Sequence, residues 1–121
     1  MNILINKVLK DPKYQSLNYV LHQPMRMLLR DTEKLTEEEK RYAMNIFTHN
    51  DFVLYHKIDK MPALVIEVDG HKFHAANPKQ LKRDQLKNQV LEKYDIPYIR
   101  MSTTGSEEER RLREKLDEVL H

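Results

Sequence analysis

The run Ala63-Leu64-Val65-Ile66-Glu67-Val68 constrains the fold of this chain more than any other stretch. It is almost continuously apolar and reads as a strand. A strand of that kind calls for cover on both faces, as in a sheet flanked by helices. Glu67 is the exception within it. A carboxylate is costly to bury alone, so the fold has to give Glu67 a counter-charge, a partner or an exposed strand edge. Arg100 and Lys72 are possible ion-pair partners. Asp69 follows two residues later, and its side chain points to the same face of an extended chain.

The neighbouring segments complete an α/β pattern. Asp51-Phe52-Val53-Leu54-Tyr55-His56 is rich in strand formers. The polar link Lys57 to Lys60 makes it a hairpin with the apolar run. Upstream, Ile3 to Leu9 reads as a short helix stopped by Asp11-Pro12, and Tyr19 to His22 as a strand that ends at Pro24. Thr36-Glu37-Glu38-Glu39 has the form of a capping box and predicts a helix through about Ile46. Asn77-Pro78 is a helix start, with asparagine at the cap and proline in the first turn. Leu81, Leu86, Val90 and Leu91 form that helix's apolar side, and it ends near Tyr94-Asp95. Pro97 to Met101 predicts a last strand. Ser106-Glu107-Glu108-Glu109 predicts a second capping box and a helix with Leu112, Leu116, Val119 and Leu120 inward. The order predicts one α/β domain over residues 1–121: a mixed sheet of about four strands, sandwiched by helices.

Composition narrows the function. The 121 residues are 40% hydrophobic and 33% charged, a soluble globular balance with no apolar run long enough to span a membrane. Cysteine is absent, which excludes disulfides and cysteine-ligated zinc and suits the cytoplasm. The net charge of +2 identifies no partner, but basic residues concentrate between Lys72 and Lys87, and acidic ones between Glu33 and Glu39. There is no glycine-rich phosphate loop, nucleophile elbow or cysteine nucleophile.

What remains is the carboxylate cluster. Asp51 opens the strand beside Glu67 and Asp69, so three carboxylates are expected to converge at one end of the hairpin. Such a cluster persists when a cation neutralises it, and oxygen ligands select magnesium or manganese. Gly70 permits a tight exit from the strand. His71 and His74, just beyond, are candidates for moving protons near neutral pH. On the Pro78 helix, Gln80, Arg83, Asp84 and Lys87 fall three or four apart on one side. A basic face beside carboxylates is what a phosphodiester substrate requires.

Asn50-Asp51-Phe52-Val53-Leu54 and Ile66-Glu67-Val68-Asp69-Gly70 resemble, in order, the two metal-binding elements of the PD-(D/E)xK nucleases. Asp69 departs from that pattern, standing where lysine is usual. The variant is similar to the very-short-patch-repair endonucleases and to small nuclease-like domains joined to DNA helicases, as are Arg83-Asp84-Gln85-Leu86-Lys87 and Ile96-Pro97-Tyr98-Ile99-Arg100. The resemblance covers about residues 15 to 120. It implies a restriction-endonuclease-like three-layer sandwich and a DNA endonuclease dependent on magnesium or manganese. It also implies that Asp51 and Glu67 bind the metal, that Asp69 binds a second ion or orients the water, and that His71 or His74 transfers protons. Lys72, Lys82, Arg83 and Lys87 would contact nucleic acid. The basic catalytic residue would come from Lys72, Lys82 or Lys87. Cutting both strands would call for two copies, hence a homodimer.

Two further readings fit the same residues. One is a degenerate nuclease fold that binds DNA for a helicase or larger repair protein without cutting it. The other is a protein-interaction domain excised from a longer chain, with the Glu33 to Glu39 segment as its contact surface.

Overall fold

The computed structural model describes residues 1–69, 77–102 and 107–120. Four strands, β1 (Leu17–Pro24), β2 (His49–His56), β3 (Pro62–Asp69) and β4 (Tyr98–Ser102), form one sheet in the order β1-β2-β3-β4. β1 pairs with β2 and β2 with β3 in antiparallel fashion, and β4 lies parallel to β3. The sheet is therefore mixed, as the pattern of segments predicts. Four α-helices are present among the described residues: α1 (Asn2–Leu9), α2 (Glu37–Met44), α3 (Pro78–Lys93) and α4 (Glu108–Val119).

Alternation along the strands divides the interior into two cores. Phe52, Leu54, Leu64, Ile66 and Met101 pack with Ile5 and Val8 of α1 and Leu112 and Leu116 of α4. Val53 and Val65, one residue out of phase, pack with Ala43 of α2 and Val90 and Leu91 of α3. Helices thus cover both faces, which explains why β3 is apolar on both sides. The same phase assigns the acidic residues: Asp51, Glu67 and Asp69 share parity with Val53 and Val65 and face the α2–α3 layer.

Local chemistry sets the elements that bring the site together. The Thr36 hydroxyl accepts from the Glu39 N–H, and the Glu39 carboxylate accepts from the Thr36 N–H, closing the predicted capping box. The Asn77 side chain accepts from the N–H groups of Lys79 and Gln80, with Pro78 in the first turn. At the far end of α3, Asp95 adopts φ 56°, and the Ile96 N–H bonds Leu91 O at 2.9 Å. That reversal drops Ile96 into the core, and Pro97 O then accepts from the Val65 N–H as β4 begins.

Three local expectations need correction. Helix α2 stops at Met44, so Ile46 lies in a turn with 69% of its surface exposed. Leu81 is 44% exposed rather than part of the buried side of α3, because the first turn of that helix extends beyond the core. Helix α4 begins at Glu108 after Glu107, without a side-chain cap; Ser106 lies outside the described residues. Two short 3-10 turns, Pro12–Tyr14 and Met25–Leu28, were not expected.

Candidate functional site

Strands β2 and β3 bring two carboxylates together by exchanging hydrogen bonds. The Asp51 N–H donates to Glu67 Oε2 at 2.9 Å, and the Val68 N–H donates to Asp51 Oδ2 at 2.9 Å. Each acid is thus fixed by the other's strand where the β2–β3 ladder ends. Glu67 is buried, with 5% of its surface exposed. The counter-charge it requires comes from α3: the Lys87 ammonium bonds Glu67 Oε1, and also donates to the His49 carbonyl at 2.9 Å. Lys87 is itself buried. Lys87 thus takes the place expected of an open strand edge or of Arg100, and the other expected partner, Lys72, lies outside the described residues. Helix packing accounts for the difference, because Lys87 sits one turn before the buried pair Val90 and Leu91 and reaches back along α3 over the sheet.

Asp69 takes another direction. Arg100 stands opposite Glu67 in the parallel register, but its guanidinium reaches Asp69 Oδ1 at 3.4 Å and Asp84 Oδ1 at 3.5 Å. It also donates to Asn88 Oδ1 at 2.8 Å. Among the described residues no three acidic or imidazole side chains share one point, so the expected three-carboxylate convergence becomes a pair, Asp51 and Glu67, with Asp69 diverted.

Asp51, Glu67, Asp69, Lys87 and Arg100 line one polar cavity of about 450 Å³, together with Tyr42, Phe47, His49, Gln80, Arg83 and Asp84. Burial pushes the Glu67 carboxyl above its ordinary range; Lys87 and the Asp51 N–H oppose the rise without cancelling it. Burial, then the charges of Glu67 and Asp84, push the Tyr42 phenol far up, so it stays neutral.

The predicted residues fall into three groups. Asp51, Glu67, Asp69, Arg83 and Lys87 line the cavity. Lys82 is not among its lining residues and pairs with Glu38 at 3.3 Å on the surface. Lys72, His71 and His74 lie outside the described residues, as does Gly70. Sequence reasoning passed over Tyr42, Phe47 and His49. None of them carries a spacing signal; His49, two residues before Asp51, is the nearest to one.

The donor set fits a hard divalent cation. Magnesium commonly takes one or two carboxylates and keeps several waters. Asp51 Oδ1 accepts no hydrogen bond among the described residues, and no basic side chain there pairs with Asp51. The described lining holds four carboxylates, Asp51, Glu67, Asp69 and Asp84, against three cations, Arg83, Lys87 and Arg100.

Residues 6–120 match a family described as a protein of unknown function, DUF2726. The chain belongs to this family. Strands β2 and β3, helix α3 and strand β4 all lie within the matched region, so the site is built wholly from the DUF2726 domain. No curated protein matches the chain, and no solved structure does. Among the described residues no helix is long and apolar enough to cross a membrane.

Proposed function

We propose that this DUF2726 domain has the restriction-endonuclease-like fold and is a divalent-metal-dependent DNA endonuclease. The observation that carries the reading is the Lys87–Glu67 contact. In the nucleases that the sequence resembles, a lysine follows the second acid on its own strand. Here Asp69 holds that place, and the amino group reaches the same carboxylate from α3 instead. Acid, acid and lysine are thereby assembled in space although not in sequence.

Asp51 and Glu67 would hold magnesium or manganese, which when bound polarises the phosphate and activates a water. Lys87 keeps Glu67 oriented and offers positive charge where negative charge develops on the phosphate in the transition state. Arg83, exposed at the cavity wall, pairs with the phosphate backbone. Asp69, tied to Arg100, orients water rather than sharing an ion. His71 or His74 moves protons. Cleavage of both strands would take two copies of the domain.

The test is cleavage of supercoiled plasmid with magnesium, manganese or chelator, comparing wild type with Asp51→Asn and Glu67→Gln, each checked for folding by circular dichroism. The expected loss is on the order of a hundredfold or more in each variant. Equal cleavage by all three proteins would sink the proposal.

One observation favours a second reading, a DNA-binding relative that does not cut and serves a helicase or repair assembly. Lys87 already compensates Glu67, so the site is stable without an ion. Calorimetry separates the two: the nuclease takes up magnesium or manganese, the relative does not.

A further inference from the structure

The turn between α2 and β2 puts two large apolar side chains into water. Ile46 is 69% exposed and Phe47 is 81% exposed. Leaving a phenylalanine in water forgoes the gain from burying it, so a ring held there is a candidate for contact with something else. The support beneath it is well bonded. Asn45 Oδ1 accepts from the Phe47 N–H at 2.9 Å, and Asn45 O accepts from the Thr48 N–H at 3.0 Å. Thr48 O accepts from the Met25 N–H at 3.0 Å, tying the turn to the start of a 3-10 turn whose first residue is fully buried.

Phe47 lines the cavity that contains Asp51, Glu67 and Lys87, and Arg83 lines it too. Arg83 is exposed and makes no ion pair among the described residues. An aromatic face and an available guanidinium around one cavity match the two halves of a nucleotide: the base stacks and the phosphate pairs. Within a continuous duplex each base face is already covered by its neighbours, so an aromatic side chain can use it only when the base leaves the stack. The cavity volume, about 450 Å³, is that of a small-ligand site, suited to one nucleotide rather than to a groove-wide surface.

We infer that Phe47 is a stacking platform for an unpaired nucleobase, with Arg83 on the adjoining phosphate, so that the site selects DNA carrying a single-stranded or frayed nucleotide over continuous duplex. The inference rests on reading the cavity as a phosphodiester site, and its test is therefore made on binding without metal or cleavage.

The chain contains no tryptophan, so Phe47→Trp installs a sole indole reporter. In chelator, titration with a short single strand, a duplex with a single-stranded overhang and a blunt duplex should quench that indole with the first two and much less with the third. By fluorescence anisotropy with labelled DNA, Phe47→Ala should lose roughly tenfold in affinity for the single strand and little for the blunt duplex. Phe47→Tyr should restore most of the loss. Salt-dependent binding to all three DNAs, with no quenching and no loss in Phe47→Ala, would overturn the stacking role while leaving the phosphodiester reading intact. No binding to any DNA by the wild type would overturn both.

Discussion

Replacing Lys87 by methionine removes the ammonium and keeps most of the side chain's apolar length. Its consequence follows from burial: the Lys87 and Glu67 side chains are only 10% and 7% exposed. Breaking one half of such a pair leaves an uncompensated charge out of water, a loss of about 3 to 5 kcal/mol. The lower end applies here, because Glu67 Oε2 keeps the Asp51 N–H at 2.9 Å. About 3 kcal/mol is a large share of the roughly 5 to 15 kcal/mol that holds a domain folded. For a chain of this length it should lower Tm by roughly 10 to 15 °C. The double variant Glu67→Gln with Lys87→Met removes both charges, and most of the loss should return. The dependence on pH has a definite sign. Burial already holds the Glu67 carboxyl above 4.5, and losing Lys87 raises it further. A carboxyl raised on folding subtracts stability above its folded pKa and none below the unfolded value. The deficit should therefore be greatest at pH values above the variant's raised folded pKa and shrink as pH falls through it toward 4.5. Urea denaturation in chelator measures it. A single variant within about 0.5 kcal/mol of wild type at neutral pH, or a deficit that does not change with pH, would refute the buried-pair reasoning.

Two predictions concern structure away from the cavity. Burial alone would raise the Glu39 carboxyl, but its bonds to Lys93 and to the Thr36 N–H outweigh burial and hold it below 4.5. Its stabilising share is present above that value and lost as pH falls through the lower folded one, so Lys93→Met should flatten the acid limb of a urea-midpoint profile between about pH 6 and 3; an unchanged limb counts against the contact. The buried Tyr14 hydroxyl donates to Asp117 Oδ1 at 2.7 Å. Tyr14→Phe should therefore cost about 1.5 kcal/mol in the same denaturation assay, and no measurable loss would mean that the bond adds nothing to stability.

Local chemistry made much of the fold legible. The Asn77-Pro78 start and the Thr36 box are satisfied by groups two or three residues away, so a reader of the chain can find them. Strand parity needs only a period of two, which is why Glu67 and Asp69 could be assigned to one face with Val65. Local signals failed where tertiary contact decides an outcome. The charged residues after Thr36 give no warning that the helix stops at Met44, and the apolar spacing of α3 does not reveal that Leu81 lies beyond the core. Lys87 looked like one basic residue among several on a helical face, alongside Lys82 and Arg83. Its neighbours in the chain are the same whether it reaches solvent or a carboxylate. Only the packing of α3 on the sheet brings it to Glu67, twenty residues away, while Lys82 is left outside with Glu38. Periodicity and desolvation act locally, so the order of residues alone dictates that β3 is covered on both faces and carries an acid needing a partner. Tertiary structure alone decided which partner, because a buried charge is compensated by whatever the packed helix places within reach.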